Sequence, residues 1–303
     1  MPRGGWQMNL ILRSMKNRAE RDFAGAQRPE RQAPAPPEDL DIAALGFPAG
    51  DGHTLYADLY RQKERDGAPM PVAVMVHGGG LFTGSRSANR AFCEVLARRG
   101  FLVFAPDYRL LDAADGFREI ADVSAALAYL GQNLDRFGGD AQRVFLFGES
   151  AGAWLSLYAA AAMRNASLRR LFGCAQPEYA LRGLVGISGM YYTARPDPLG
   201  LVYRRDLYGR RRGNRAVMAL MDPEHAAVTA ALPPMLLTSS GADFLKAYTL
   251  RYADALRAQG RPCELVYFPE GKNLVHAFPS LHPDLPESKA ALKRILAWMD
   301  TLG

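Results

Sequence analysis

Two short motifs in this chain carry the residue types that acyl chemistry needs. Gly148-Glu149-Ser150-Ala151-Gly152 follows the apolar run Val144-Phe145-Leu146-Phe147, and His77-Gly78-Gly79-Gly80 follows Pro71-Val72-Ala73-Val74-Met75-Val76. The first has the form of a nucleophile elbow, a serine on a turn so tight that glycine is needed on either side. The second offers bare backbone N–H groups that can close around a developing oxyanion. Each stands where a buried strand would end. A Gly-x-Ser-x-Gly pattern arises by chance in roughly one chain of this length in ten, a His-Gly-Gly-Gly run in on the order of a few in a thousand. Glycines that only supply positive φ at strand ends would be the plain alternative. That alternative leaves the order and strand context of both motifs as coincidence, so the chain is expected to make and break acyl bonds through Ser150.

A serine hydroxyl is a poor nucleophile at neutral pH and needs a base, which in turn needs a carboxylate to orient it. In a sheet with this kind of elbow the partners follow the serine in the order acid, then histidine, each just past a strand. Asp243 ends the run Pro234-Met235-Leu236-Leu237-Thr238-Ser239-Ser240-Gly241-Ala242-Asp243 and is the expected acid. An N-cap for the next helix is its structural alternative. Of five histidines, His53 precedes the nucleophile, His77 belongs to the glycine turn and is expected to bond backbone, and His225 falls in a long connection. His282 lies in a Pro-flanked loop. His276, in Asn273-Leu274-Val275-His276-Ala277-Phe278 after an apolar run, is the expected base. Such a base works when neutral, so activity is expected to rise through roughly pH 6–7.

The elements that would position these residues alternate regularly. Thr54 to Tyr60 has period two and reads as an early antiparallel strand. Val72 to Val76, Phe101 to Ala105, Val144 to Phe147, Leu184 to Ile187, Met235 to Thr238 and Glu264 to Phe268 are continuous apolar runs suited to strands buried on both faces. Helical spacing lies between them, clearest in Ile120, Val123, Leu127, Leu130 and Leu134. Alternation of this kind means a doubly wound, mostly parallel α/β sheet flanked by helices. The interval 189–232 lacks a strand signal and is read as a lid insertion, with helices over Arg215 to Met221 and Ala226 to Leu232. Residues 1–40 read as a basic, Pro-rich arm with a short helix near Leu10, Met15 and Arg18, followed by Ala33-Pro34-Ala35-Pro36-Pro37. Residues 41–303 form the catalytic domain.

Bulk properties narrow the class. The 303 residues are 49% hydrophobic and 22% charged, ordinary for a soluble protein. No apolar stretch approaches a membrane span, and the N-terminal apolar core is too short for a secretory signal, so a cytoplasmic protein is expected. Cys93, Cys174 and Cys263 lack metal-ligand spacing and are odd in number, which disfavours zinc and a disulfide framework. Net charge is +6, with arginines at Arg13, Arg18, Arg21 and from Arg204 to Arg215. They are not interleaved with aromatics, so a solvated surface is expected rather than a specific nucleic-acid site. If Arg204, Arg205, Arg210, Arg211, Arg212 and Arg215 lined the lid, they would favour substrates bearing a carboxylate.

Taken together, His77-Gly78-Gly79-Gly80, Asp107-Tyr108-Arg109-Leu110, Phe137-Gly138-Gly139-Asp140, the Ser150 motif, Asp243 and His276-Ala277-Phe278 resemble the hormone-sensitive-lipase-like carboxylesterases of the α/β-hydrolase fold over about residues 45–303. The resemblance implies an ester hydrolase with triad Ser150, Asp243 and His276, needing no metal or cofactor. It also implies an oxyanion hole from Gly78, Gly79, Gly80 and Ala151. Leu81, Phe82, Glu149 and Tyr191 beside the motifs are expected to contact a small-molecule ester of short to medium chain. An amidase or formamidase with the same triad, or a non-catalytic ligand-binding member of the fold, are the alternatives. A homodimer stays open.

Overall fold

The apolar runs become strands because both of their faces are covered. In the run Val72–Val76, Val72, Val74 and Val76 enter one buried cluster, which includes Ile120, Leu127 and Trp154. Ala73 and Met75 enter a second, with Phe92, Leu96 and Ile295. The period-two alternation of a strand thus feeds two helical layers. A computed structural model describes residues 8–26, 37–64 and 66–303, with backbone alone for 21–26. The Pro-rich run 33–36 and the side chain of Arg21 fall outside the described residues.

Eight strands form one sheet: β1 Leu40–Pro48, β2 Thr54–Gln62, β3 Met70–Val76, β4 Leu102–Pro106, β5 Gly139–Glu149, β6 Leu181–Ile187, β7 Met235–Ser240 and β8 Cys263–Phe268. Their spatial order is β1-β2-β4-β3-β5-β6-β7-β8. β1, β2 and β4 pair antiparallel; every later pairing is parallel. This is the mostly parallel, doubly wound sheet expected from the sequence. β1 is the strand that pattern reading missed. It pairs only with β2, at the sheet edge, and its sequence Leu-Asp-Ile-Ala-Ala-Leu-Gly-Phe-Pro carries neither strict alternation nor a continuous apolar run.

The helices are α1 Leu10–Ala26, α2 Arg90–Arg98, α3 Gly116–Phe137, α4 Ala151–Arg164, α5 Ala166–Phe172, α6 Pro198–Tyr208, α7 Arg215–Leu220, α8 Ala226–Thr229, α9 Lys246–Ala258, α10 Phe278–Leu281 and α11 Pro286–Asp300. Helix α3 starts where the Asp115 carboxylate accepts from Arg118 N and stops at Gly138 in the left-handed conformation. Between β6 and β7 the chain forms α6, a 3-10 turn Gly209–Gly213, α7 and α8, without a strand. Helix α6 was absent from the sequence expectations, although Asp197 caps it by accepting from Gly200 N and Pro198 opens it. Helix α1 buries Leu12, with Met8 buried just ahead of it, and packs on α6. Among the described residues no helix is long and apolar enough to cross a membrane.

Candidate active site

Ser150 occupies the single residue between β5 and α4, with φ 52° and ψ −113°. That region is costly for a side chain with a Cβ, so the surroundings must enforce it. Ser150 N donates to Ile187 O at 2.8 Å, and Met190 N donates to Ser150 O at 3.0 Å. Gly152 lets α4 press onto the end of β3: a Cβ there would sit 2.2 Å from Val76 O. The outcome is a hydroxyl held proud of the sheet beside the first, unsatisfied amides of a helix.

Asp243 and His276 reach it from the segments that follow β7 and β8. The Ser150 hydroxyl donates to His276 Nε2 at 2.9 Å, and His276 Nδ1 donates to Asp243 Oδ1 at 2.7 Å. The direction of both bonds follows from Asp243 being ionised. Burial pushes that carboxyl up, but hydrogen bonds from His276, Ser239 and Leu245 N outweigh burial and hold it below the usual range. Ser239 Oγ donates to Oδ2 at 2.6 Å and Leu245 N to Oδ1 at 2.9 Å. Three donors on its two oxygens thus fix the orientation of the carboxylate, as an orienter of an imidazole must.

The glycine loop faces the same hydroxyl. Gly79 and Gly80 have φ of 100° and 61°, a region that glycine enters without steric cost. Among the described residues the amides of Gly79, Gly80 and Ala151 donate to no protein acceptor. Gly78 differs: its backbone bonds the buried Glu149 carboxylate, which also accepts from Asn89 Nδ2 at 2.5 Å. Burial raises the Glu149 pKa above the ordinary carboxyl value. Of the four amides expected to face an oxyanion, that of Gly78 therefore already has a protein partner. Their carbonyl sides are tied down. Gly78 O accepts from His77 Nδ1 at 2.8 Å and from the Tyr108 hydroxyl at 3.2 Å. Gly79 O accepts from Phe82 N and Thr83 N. Because a peptide is planar, fixing its C=O also fixes the attached N–H. Burial drives His77 down to about 4, so its ring is a neutral donor stacked on Tyr108.

A cavity of about 580 Å³ opens on Ser150, His276 and the glycine loop. Met15 and Ala19 of α1, Leu199, Val202 and Tyr203 of α6, and Phe82, Phe244 and Leu281 give it an apolar lining. Of the residues expected to contact substrate, Phe82 and Glu149 line this cavity. Leu81 and Tyr191 do not, which corrects the sequence reading. Leu81 is turned into the core by its own φ of 66°. Tyr191 is fully buried beneath the strand ends, its ring tilted against that of Tyr252 in the space left by Gly186 and Gly189. None of the six arginines from Arg204 to Arg215 lines the cavity either. Arg211 points away, pairing with Asp115 and lying over Phe117. A carboxylate preference through these arginines has no support in this arrangement.

Of the other histidines, His225 caps α8 by accepting from Ala227 N, and His282 follows α10 on the exposed surface.

A family profile described as the alpha/beta hydrolase fold matches residues 73–280. The chain belongs to this family. Within it, the hydrolase groups with the hormone-sensitive-lipase-like members. It is similar to an isoprenylcysteine alpha-carbonyl methylesterase of Arabidopsis thaliana, 28% identical over 72% of this chain and 53% of that protein. An acetyl-hydrolase of Streptomyces hygroscopicus is 29% identical over 85% and 84% of the two chains. The match spans about half, or less, of the first curated relatives' length. Among solved structures, esterase B of Lactobacillus rhamnosis superposes with a TM-score of 0.81 at 26% identity, covering 96% of this chain and 95% of that one. Brefeldin A esterase, described as a bacterial homologue of human hormone sensitive lipase, shares the fold at a TM-score of 0.74 and 18% identity.

Several residues of the hydrolase's site were not foreseen. Ser188, with φ 52°, accepts at its Oγ from Ala277 N at 3.0 Å and so fixes the peptide that follows His276. Ser240 Oγ donates to Leu274 O in the same loop. Tyr203 reaches the glycine loop from α6. Only Ser239 and Ser240 had a sequence signal, as hydroxyl residues just before the candidate acid.

Proposed function

We propose that this hydrolase is a serine carboxylesterase that cleaves short- to medium-chain esters through an acyl-enzyme on Ser150. One observation carries the reading: a Ser150–His276–Asp243 relay with bonds of 2.9 and 2.7 Å, facing free amides at the floor of an apolar cavity. In this reading Ser150 attacks the ester carbonyl as His276 accepts its proton. The oxyanion rests on the amides of Gly79, Gly80 and Ala151, where one donor is typically worth about 10²–10³ in rate. His276 then protonates the leaving alcohol, and water repeats the sequence on the acyl group. A cavity of this size falls in the range of about 300–1,000 Å³ usual for small-molecule sites. The esterase B relative was solved with a tributyrin phosphonate inhibitor, which supports a short acyl group here too.

Labelling with a fluorophosphonate and turnover of p-nitrophenyl esters from C2 to C12 test the proposal together. We expect label on Ser150 in folded protein and a rate maximum at short or medium chains. Folded protein that neither takes the label nor turns over any of these esters would overturn it.

A further inference from the structure

The glycine loop is tied on its outer side by a residue that belongs to neither the sheet nor the relay. The Tyr203 hydroxyl donates to Gly80 O at 2.8 Å. The approach is so close that a Cβ on Gly80 would lie 2.8 Å from that oxygen, so glycine is required there. Burial, with a contribution from Glu119, pushes the phenol far above its ordinary pKa, and Tyr203 therefore remains a donor. Its ring also stacks on Phe82, which closes the turn after Gly80.

Tyr203 sits on α6, and α6 is clamped in its turn. Asp206, three residues on and 1% exposed, shares the inward face of the helix. Its Oδ2 accepts from both Asn9 N, at 3.1 Å, and Asn9 Nδ2. The same Nδ2 donates to Val202 O at 2.9 Å, while Asn9 Oδ1 accepts from Leu12 N and starts α1. One asparagine thus caps the N-terminal helix and grips the helix that holds the loop.

We infer that Tyr203 is a positioning residue for the oxyanion loop, fixing the Gly80–Leu81 peptide and with it the Gly80 Cα from which the Gly80 N–H is carried, and that Asn9 acts through Asp206 to hold Tyr203 in place. The N-terminal helix is therefore tied to the chemistry, over and above the wall that Met15 and Ala19 give the cavity. This inference rests on the esterase reading. An amide that stabilises charge only in the transition state affects kcat rather than KM. Tyr203→Phe keeps the ring and deletes the donor.

The experiment measures p-nitrophenyl ester kinetics for Tyr203→Phe, Asn9→Ala and the double variant, with Asp206→Ala and Asp206→Asn beside them. We expect Tyr203→Phe to lower kcat roughly 5- to 10-fold with KM within about twofold and the shape of the kcat–pH profile unchanged. Asn9→Ala lowers kcat in the parent but much less in the Tyr203→Phe background, because the two act in series. Asp206→Asn, which retains an acceptor for Asn9, keeps most of the kcat that Asp206→Ala loses. A parent active on esters with kcat unchanged in Tyr203→Phe overturns the inference, as does an equal Asn9→Ala loss in both backgrounds. A parent inactive on every ester strikes the esterase reading instead.

Discussion

The carboxylate of Asp243 accepts three hydrogen bonds, so its value lies in holding one tautomer of His276 as much as in its charge. Asp243→Asn would set an amide against Nδ1 and favour the wrong ring tautomer. We expect kcat to drop about 10⁴-fold with the fold intact, measured on p-nitrophenyl acetate. Ser188→Ala is a finer test. It removes the acceptor for Ala277 N, and a sub-ångström drift of the imidazole should lower kcat about 10-fold. The reading of residues from the sequence singled out Ser150, Asp243 and His276 by a fixed order along the chain, and these three side chains do meet. It failed where a side chain's direction decides. Neither spacing nor composition tells that Leu81 turns inward while Phe82 turns out, or that Tyr191 dives beneath the strands. Ser188, Asn89 and Tyr203 were illegible because each acts on a partner far away in sequence.

At the scale of elements, the elbow depends on how closely α4 can approach β3. Gly152→Ala would put a methyl group inside the contact distance of Val76 O, and α4 would have to move off the sheet. We expect a stability loss of about 1–3 kcal/mol or more, read from a shift of the urea midpoint, with a fall in kcat because Ala151 N moves with the helix. The parallel core was legible because its strands are continuous apolar runs between amphipathic helices. The edge was not: β1 is half exposed and needs only β2, so its sequence is under little pressure to alternate. One helix between β6 and β7 escaped reading for a different reason. Helix α6 uses its inward face for Tyr203 and Asp206 as well as for apolar packing, which blurs the hydrophobic spacing a helix normally shows.

For the molecule as a whole, two buried titratable groups pull stability in opposite directions with pH. His77 is neutral when folded, its pKa lowered to about 4 mainly by burial. The unfolded chain takes up that proton near pH 6.5, so stability falls between about pH 6.5 and 4, by up to about 3 kcal/mol from this residue. His77→Gln should flatten that slope in urea titrations, where an equal slope in both proteins would contradict it. Glu119 behaves inversely. It is fully buried, neither oxygen has a hydrogen-bond partner among the described residues, and burial raises its pKa with help from Asp122, Asp115 and Asp112. Its proton is held more tightly in the folded protein, so its contribution is present in acid and lost as pH rises. Glu119→Gln should therefore gain stability over the parent progressively from pH 5 to pH 8. The working parts themselves are scattered along the chain, from Asn9 through Gly80, Ser150, Tyr203 and Asp243 to His276. On the ribosome Ser150 emerges long before its proton acceptor, so the nascent polypeptide cannot assemble this site until residue 276 has left the exit tunnel.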